Sequence, residues 1–285
     1  MNLVPIKNEL FLKAQEFLFP RETESCALME LVLNRSDELF AFIFDNEICG
    51  IFSLTKSGLV LCDFALQTDD VFLLLKSHFF CKKVQVIFGK SDSVQFATKA
   101  YCEANKKTAL STKNGIFMRF NTVFNPLSQK NVAKFSLRQN ILSQFQVKIC
   151  SEKMENQLAK HYFSYLEEEV VPAGKSVNRA AERFALHKAL CQKRVWALFS
   201  ASGEFCAMAF VRAVGKNARL LGGIYTPSPF RRRGFASALV YAVSDYFKHA
   251  GVVATLYVDC QNAAAVSCYT SAGFVPRSKC QTVYF

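Results

Sequence analysis

The segment Leu220-Leu221-Gly222-Gly223-Ile224-Tyr225-Thr226-Pro227-Ser228-Pro229-Phe230-Arg231-Arg232-Arg233-Gly234-Phe235-Ala236-Ser237 constrains this chain more than any other, because it carries a strand through a proline-bounded turn directly into a helix. Apolar residues at Ala236, Leu239, Val240, Val243 and Phe247 recur at helical spacing, which places the first helical turn at Arg232 to Ser237. A helix start offers unpaired N–H groups to an anion, Gly234 and Ala236 are small enough to let one approach the backbone, and Arg231, Arg232 and Arg233 add positive charge. The segment therefore predicts a pyrophosphate cradle. Gly222 and Gly223, inside an otherwise apolar strand, predict a bulge or a place where a ligand lies against backbone.

Strands and helices alternate on both sides of this segment. In the second half the pattern predicts strand 146–149, helices 155–169 and 178–190, strands 194–199, 205–214 and 219–225, helix 232–249, strand 253–258, helix 263–271 and a terminal strand near 282–285. In the first half it predicts strands 39–44, 48–54, 59–64 and 84–88, helices 71–80 and 94–104, and a last strand 116–120. Three strands, helix, strand, helix, strand is also the order in which the second half ends, so the chain reads as an internal pseudo-repeat. Between Asn125 and Asn140 the periodicity lapses around Pro126 and Ser128. Two α/β (α+β) units are expected, 1–128 and 146–285, joined by a linker over 129–145, each a mixed sheet flanked by helices.

The 35 Lys plus Arg against 23 Asp plus Glu give a net charge of +12 over 285 residues, and the excess is uneven. Residues 1–128 hold 14 basic and 14 acidic residues, and residues 129–285 hold 21 and 9. An anionic partner should meet the second half. Apart from Arg231 to Arg233 the basic residues are scattered, and the absence of nucleic-acid-binding spacings argues against nucleic acid. Eleven cysteines lie in apolar surroundings with no CxxC pair, which argues against a disulfide framework and against a metal site. No run approaches 18 apolar residues, and Lys7, Glu9, Lys13 and Glu16 interrupt the first 20 residues, so neither a membrane span nor a signal peptide is expected and the setting should be cytoplasmic.

Arg231-x-x-Gly234-x-Ala236, after Tyr225-Thr226-Pro227 and on a strand, loop, helix order, resembles the acetyl-coenzyme A signature of the GCN5-related N-acetyltransferase (GNAT) superfamily. A second signature follows at the family's distance: strand Leu256-Tyr257-Val258-Asp259, then Asn262, Tyr269 and Gly273-Phe274. The resemblance covers about residues 145–285 and implies the GNAT fold, with a tandem, degenerate GNAT-like unit before it. It implies that the backbone of Ile224, Tyr225 and Thr226 pairs with the pantetheine arm, and that Arg231, Arg232, Arg233, Gly234, Phe235, Ala236 and Ser237 wrap the pyrophosphate. Asn262 would contact pantetheine, and its position also makes it a helix cap. Tyr269, seven residues later on the same helical face, would protonate the departing coenzyme thiolate.

The activity so implied is transfer of the acetyl group of acetyl-coenzyme A, a cosubstrate, to a primary amine by direct attack in a ternary complex. Rival readings are a non-catalytic acetyl-coenzyme A sensor or interaction module, and an aminoacyl transferase of tandem type. No acid lies on strand 219–225, where several family members carry a base, so Glu167-Glu168-Glu169, Asp259 and Tyr225 stand as candidates, with Glu168 as an acceptor-site residue. His161 and His187 have no partner motif and read as structural. Where the first unit would carry its cradle, the sequence is Ala65-Leu66-Gln67-Thr68-Asp69-Asp70, without Gly or Arg and with two acids that would repel a pyrophosphate. That unit is expected to bind no coenzyme and instead to pack on the second, shape the acceptor site or mediate homodimerisation.

Overall fold

The computed structural model describes residues 1–121, 129–171 and 176–285. The first run of elements is β1 (Asn2–Pro5), α1 (Leu10–Leu18), α2 (Glu22–Leu33), β2 (Leu39–Phe44), β3 (Glu47–Leu54), β4 (Leu59–Phe64), α3 (Asp69–Phe79), β5 (Val86–Lys90), α4 (Ser91–Asn105) and β6 (Ser111–Phe120). Helix α5 (Gln129–Gln144) follows. The second run is β7 (Gln146–Ile149), α6 (Glu155–Tyr165), α7 (Arg179–Cys191), β8 (Val195–Phe199), β9 (Phe205–Val214), β10 (Ala218–Tyr225), α8 (Phe235–His249), β11 (Val253–Asp259), α9 (Ala263–Ser271) and β12 (Phe274–Tyr284). The two runs are identical in order, so the repeat extends further than the sequence pattern showed: it includes the opening strand and paired helices of residues 1–33.

All twelve strands form one mixed sheet in the order β1-β2-β3-β4-β5-β12-β6-β11-β10-β9-β8-β7. Its centre is a reciprocal exchange. β6, the last strand of the first run, pairs antiparallel with β11 of the second, from Thr255↔Arg119 to Asp259↔Gly115. β12, the last strand of the second run, pairs antiparallel with β5 of the first, from Cys280↔Lys90 to Tyr284↔Val86. The two exchanged strands also pair with each other from Phe274↔Phe120 to Tyr284↔Ser111. Each unit thereby satisfies an edge of the other, and neither leaves its central strand with unpaired N–H and C=O groups. Gly115 is required by this closeness, because a Cβ there would stand 2.7 Å from the Val258 carbonyl oxygen.

Helix α2 locks the two units together from one face. Buried Glu22 accepts from the Asn217 and Ala218 amides at 2.8 and 3.1 Å, the Thr255 hydroxyl donates to the Thr23 carbonyl at 2.7 Å, and Arg194 pairs with Glu30. Ser25, on the same helix, donates to Asp63 of β4 in the first unit at 2.5 Å. Burial of polar groups along α2 blurs its apolar stripe, which is why periodicity gave no helix there.

Of residues 129–145, expected as a linker, Gln129–Gln144 form helix α5; the start of the lapse, Asn125 to Ser128, lies outside the described residues. Ile141 is buried among residues of α8 and the sheet. Arg138, 6% exposed, lies with its guanidinium 3.7 Å from the Tyr241 ring centre and donates to the Ser271 carbonyl. A buried arginine where an apolar residue would ordinarily stand removes the helical signature from the sequence. The terminal strand is Phe274–Tyr284 rather than 282–285, since Pro276 and the register shift beside it disguise its first half.

Candidate functional site

β10 and β11 run parallel and hydrogen-bonded from Ala218↔Val253 to Leu221↔Leu256, and there their pairing stops. On its other side β10 shifts register against β9 between Gly222 and Tyr225, the bulge that the two glycines predict. Gly223 has φ +58°, and a Cβ on it would meet Arg212 Nη2 at 2.5 Å. The space over the glycine pair is thus filled by the Arg212 side chain. The backbone of Gly222, Ile224, Tyr225 and Thr226 parts from β11, leaving a wedge-shaped opening in the sheet.

The loop closing this opening begins with a short turn at Ser228–Phe230. Arg232 (φ 61°) and Gly234 (φ 84°) are left-handed, so α8 begins at Phe235, three residues later than expected. Gly234 is the N-cap and offers no side chain to the helix start. The Ala238 amide is the first to donate into the helix, to the Gly234 carbonyl at 2.9 Å. Among the described residues the amides of Arg232, Arg233, Gly234, Phe235, Ala236 and Ser237 have no backbone acceptor, which leaves a nest of donors at the positive end of α8. Thr226 Oγ1 is buried beside it without a hydrogen-bond partner. Unpaired donors and an orphaned hydroxyl in one place fit a phosphorylated, amide-bearing arm such as that of coenzyme A.

Of the three arginines, Arg231 turns away from this nest. Its Nε donates to the Thr226 carbonyl at 2.9 Å and its Nη2 donates to Glu168. Glu168 also accepts from the Tyr225 hydroxyl at 2.7 Å. Glu168, expected as an acceptor-site residue and a candidate base, is thus engaged: the Tyr225 hydroxyl and the Arg231 guanidinium hold it below the usual carboxylate range, so it is a poor base. Its neighbour Glu167 pairs with Arg179 at 2.9 Å. The three acids do lie together, in a wide helical turn at Leu166–Val170 after α6, but two of them are neutralised. Arg233 lies over the Phe230 and Phe235 rings, and neither it nor Arg232 has a hydrogen-bond or ion-pair partner among the described residues, Arg232 being the one without a ring contact as well.

Asn262 caps α9, its side chain accepting from the Ala265 amide at 3.0 Å. Tyr269 lies half-buried on α9 against the core, its ring 6.5 Å from that of Phe274. Burial first, then Cys268, Tyr165 and Glu169, raise its pKa above that of a free phenol, so it carries its proton throughout the neutral range. Tyr269 from α9, Tyr165 from α6, Tyr225 and Arg212 form one connected group of side chains. The Tyr165 and Tyr225 rings are 6.1 Å apart, and Arg212 Nη2 lies 3.5 Å from the Tyr165 hydroxyl. Arg212 and Tyr165 were not among the expected site residues. A signal existed for Arg212, the one charge in the strand Phe205–Val214, but only the fold shows where that strand lies.

Among the described residues no group of three or more His, Cys, Asp and Glu is arranged to hold a metal, and no helix is long and apolar enough to cross a membrane. His161 stacks on Phe205 with 3.9 Å between ring centres, a packing role as expected. His187 differs from expectation, being bonded to Glu155 and close to Cys191.

Residues 157–274, which include the wedge, the nest and Tyr269, match the acetyltransferase (GNAT) family, so the second unit is a GNAT domain and the protein is an acyltransferase. Among solved structures the chain is similar to a GNAT-family acetyltransferase from Colwellia psychrerythraea, with TM-score 0.56, 13% identity and 100% of both chains covered. It is similar to a Drosophila protein with TM-score 0.65 and 11% identity over 99% of this chain and 98% of that one. A tandem GNAT protein from the clavulanic acid biosynthesis pathway aligns with TM-score 0.52 and 11% identity over 99% and 98%. At these identities the likeness establishes the fold, and it extends over the first unit as well. No curated protein matches the sequence.

Proposed function

We propose that the protein transfers the acetyl group of acetyl-coenzyme A to a primary amine by direct attack within a ternary complex, and that the coenzyme is held by the second unit, 146–285, alone. The observation that carries this reading is the nest of unpaired amides from Arg232 to Ser237 at the start of α8. In it the amides and Arg232 hold the pyrophosphate, and the stretch Ile224 to Thr226, which has no ladder partner in β11, hydrogen-bonds the pantetheine amides. Asn262 flanks the arm, and the protonated phenol of Tyr269 gives its proton to the leaving thiolate. A sensor that only bound the coenzyme would need no proton donor there. Glu168 serves as a tether, holding Tyr225 and Arg231 at the rim. The first unit, 1–128, supplies strand β6 and the α2 contacts. All eleven cysteines are unpaired, which supports a reducing, cytoplasmic setting.

Arg212 refines the acceptor. It borders the opening and pairs with no carboxylate, although every Asp and Glu of the chain lies among the described residues. An unpaired guanidinium beside a desolvating site favours an amine that also bears an anionic group. The test is coenzyme A release over a panel pairing each amino acid with its decarboxylated amine. Preference for the carboxylate-bearing member is expected. Release with no amine in the panel would overturn the activity, and preference for the decarboxylated members would overturn the role of Arg212.

A further inference from the structure

The packed pair α6 and α7 carries a second chemical constellation, which acetyl transfer does not use. His187 and Cys191 are four residues apart and share one face of α7, with His187 Nε2 3.5 Å from Cys191 Sγ. The other ring nitrogen, Nδ1, is 2.7 Å from Glu155 Oε2 on α6, and Arg183 Nε donates to Glu155 Oε1 at 2.7 Å. Both bonds hold the Glu155 carboxylate below its ordinary range, the histidine contact contributing most, so it is ionised whenever the thiol is at issue. An ionised carboxylate at Nδ1 fixes the proton there and turns the lone pair of Nε2 toward the sulfur. Nucleophile, base and orienting carboxylate stand in sequence, as a general-base-activated thiol requires.

The chain contains its own controls. Cys81, Cys191 and Cys260 are its exposed cysteines. The Cys260 thiol donates to the Asn114 carbonyl at 3.1 Å, and the Cys81 thiol has no hydrogen-bond partner among the described residues. Burial pushes Cys26, Cys150, Cys268 and Cys280 up to about 12. Cys191 is the exposed thiol with a base beside it.

We propose that Cys191 is a modification site, a reactive thiol that forms a mixed disulfide with low-mass disulfides such as oxidised glutathione. His187 takes the thiol proton as Cys191 Sγ attacks one sulfur of the disulfide. The new S–S bond forms as the old one breaks, and the departing thiolate takes the proton back from His187, so no other oxidant is needed. Glu155 is a positioning residue that stabilises the imidazolium between the two steps. The charged groups on the elements around the pair are Glu152, Lys153, Glu155 and Lys160 from α6 and the turn before it, and Arg179, Glu182, Arg183, Lys188, Lys193 and Arg194 from α7 and the chain after it. Of these, Glu155 is the one within hydrogen-bond reach of His187.

The test follows the three exposed thiols by peptide mass mapping, after timed reaction of the full chain with iodoacetamide between pH 5 and 9, and separately with oxidised glutathione. Cys191 should be modified roughly ten times faster than Cys81 or Cys260 at pH 7. His187→Gln should abolish the advantage and Glu155→Gln should reduce it, with acetyl transfer and the melting temperature of each variant measured alongside. A wild-type rate for Cys191 equal to that of Cys81 would overturn the proposal without recourse to any variant. So would an unchanged Cys191 profile in a folded His187→Gln protein. Neither result depends on whether the second unit transfers acetyl groups.

Discussion

The two units follow the same ten elements, yet the sheet opens in one and is sealed in the other. In the second, pairing between β10 and β11 ends at Leu221 and Leu256 and the strands part. In the first, the corresponding pair β4 and β5 ends at Cys62 and Gly89, but the gap beyond is closed by side chains. The Phe64 amide donates to Ser93 Oγ at 3.1 Å, and fully buried Asp63 accepts from Ser25 with Lys90 Nζ at 3.6 Å. Helices α3 and α4 are pinned together by the Phe72 and Phe96 rings, 5.6 Å apart, and by Lys76 and Glu103 at 3.0 Å. Among the described residues no ring pair or ion pair bridges α8 and α9. The helix starts differ in the same sense: Thr68 accepts from the Val71 amide at the head of α3, followed by Asp69 and Asp70, whereas Gly234 leaves the head of α8 uncapped. A fold with a built-in strand split becomes an anion site only where side chains leave its amides unpaired.

The exchanged strands give that contrast its strongest test. A fragment comprising 129–285 lacks β6 and would expose the edge of β11 together with the apolar surface that α2 covers, so it should not yield a folded monomer. Size-exclusion chromatography and circular dichroism check this, and a soluble, cooperatively melting fragment would show that the units are independent. In the intact chain a single thermal transition is expected.

Titration calorimetry should find one acetyl-coenzyme A site per chain. Gly234→Glu should abolish it, because the side chain forces an unfavourable positive φ, approaches Leu137 and Ile141 at 3.2 Å, and brings negative charge to the nest. Two sites of similar affinity would erase the distinction between the units.

Tyr269→Phe should lower kcat by about 10² to 10⁴ with little change in coenzyme affinity. Because burial and its neighbours raise the phenol above its ordinary pKa near 10, the donor form is lost only as pH rises beyond that value, and wild-type kcat should show no fall from this group up to about pH 9.5. A fall in affinity with kcat intact would make Tyr269 a binding residue.

The smallest effect concerns the tether. Glu168→Gln weakens exposed bonds to Arg231 and Tyr225, so KM for acetyl-coenzyme A should rise about two- to five-fold, as expected for an exposed charge pair, with KM for the amine less affected. A rise confined to the amine would return Glu168 to the acceptor side. Since its folded pKa is depressed, the tether is present above the ordinary carboxylate range and is lost only as pH falls through the lowered value.

Elements whose burial follows one local period were legible from the residues: β2, β4, β9 and α9 lie at the bounds read from the sequence. So were the loop from Arg231 to Ser237, the cap at Asn262 and the position of Tyr269 two turns later, because short-range spacing carries each of them. Residues whose surroundings come from elsewhere in the chain were not legible. α2 presents polar groups to both units at once, α5 buries an arginine, and β12 is interrupted at Pro276, so none shows a clean period.

The local order of strands and helices, the uncapped start of α8 and the capped start of α3 are written in contiguous residues, since backbone periodicity, glycine placement and helix-start chemistry act within a few positions. The tertiary structure alone decides that β6 lies beside β11 and β12 beside β5. It also decides that Glu168 answers Arg231 across 63 positions, and that His187 finds Glu155 32 positions away. Strand edges and charged side chains bind whichever complementary group packing brings within about 3 Å, and such long-range pairing leaves no periodic trace along the chain.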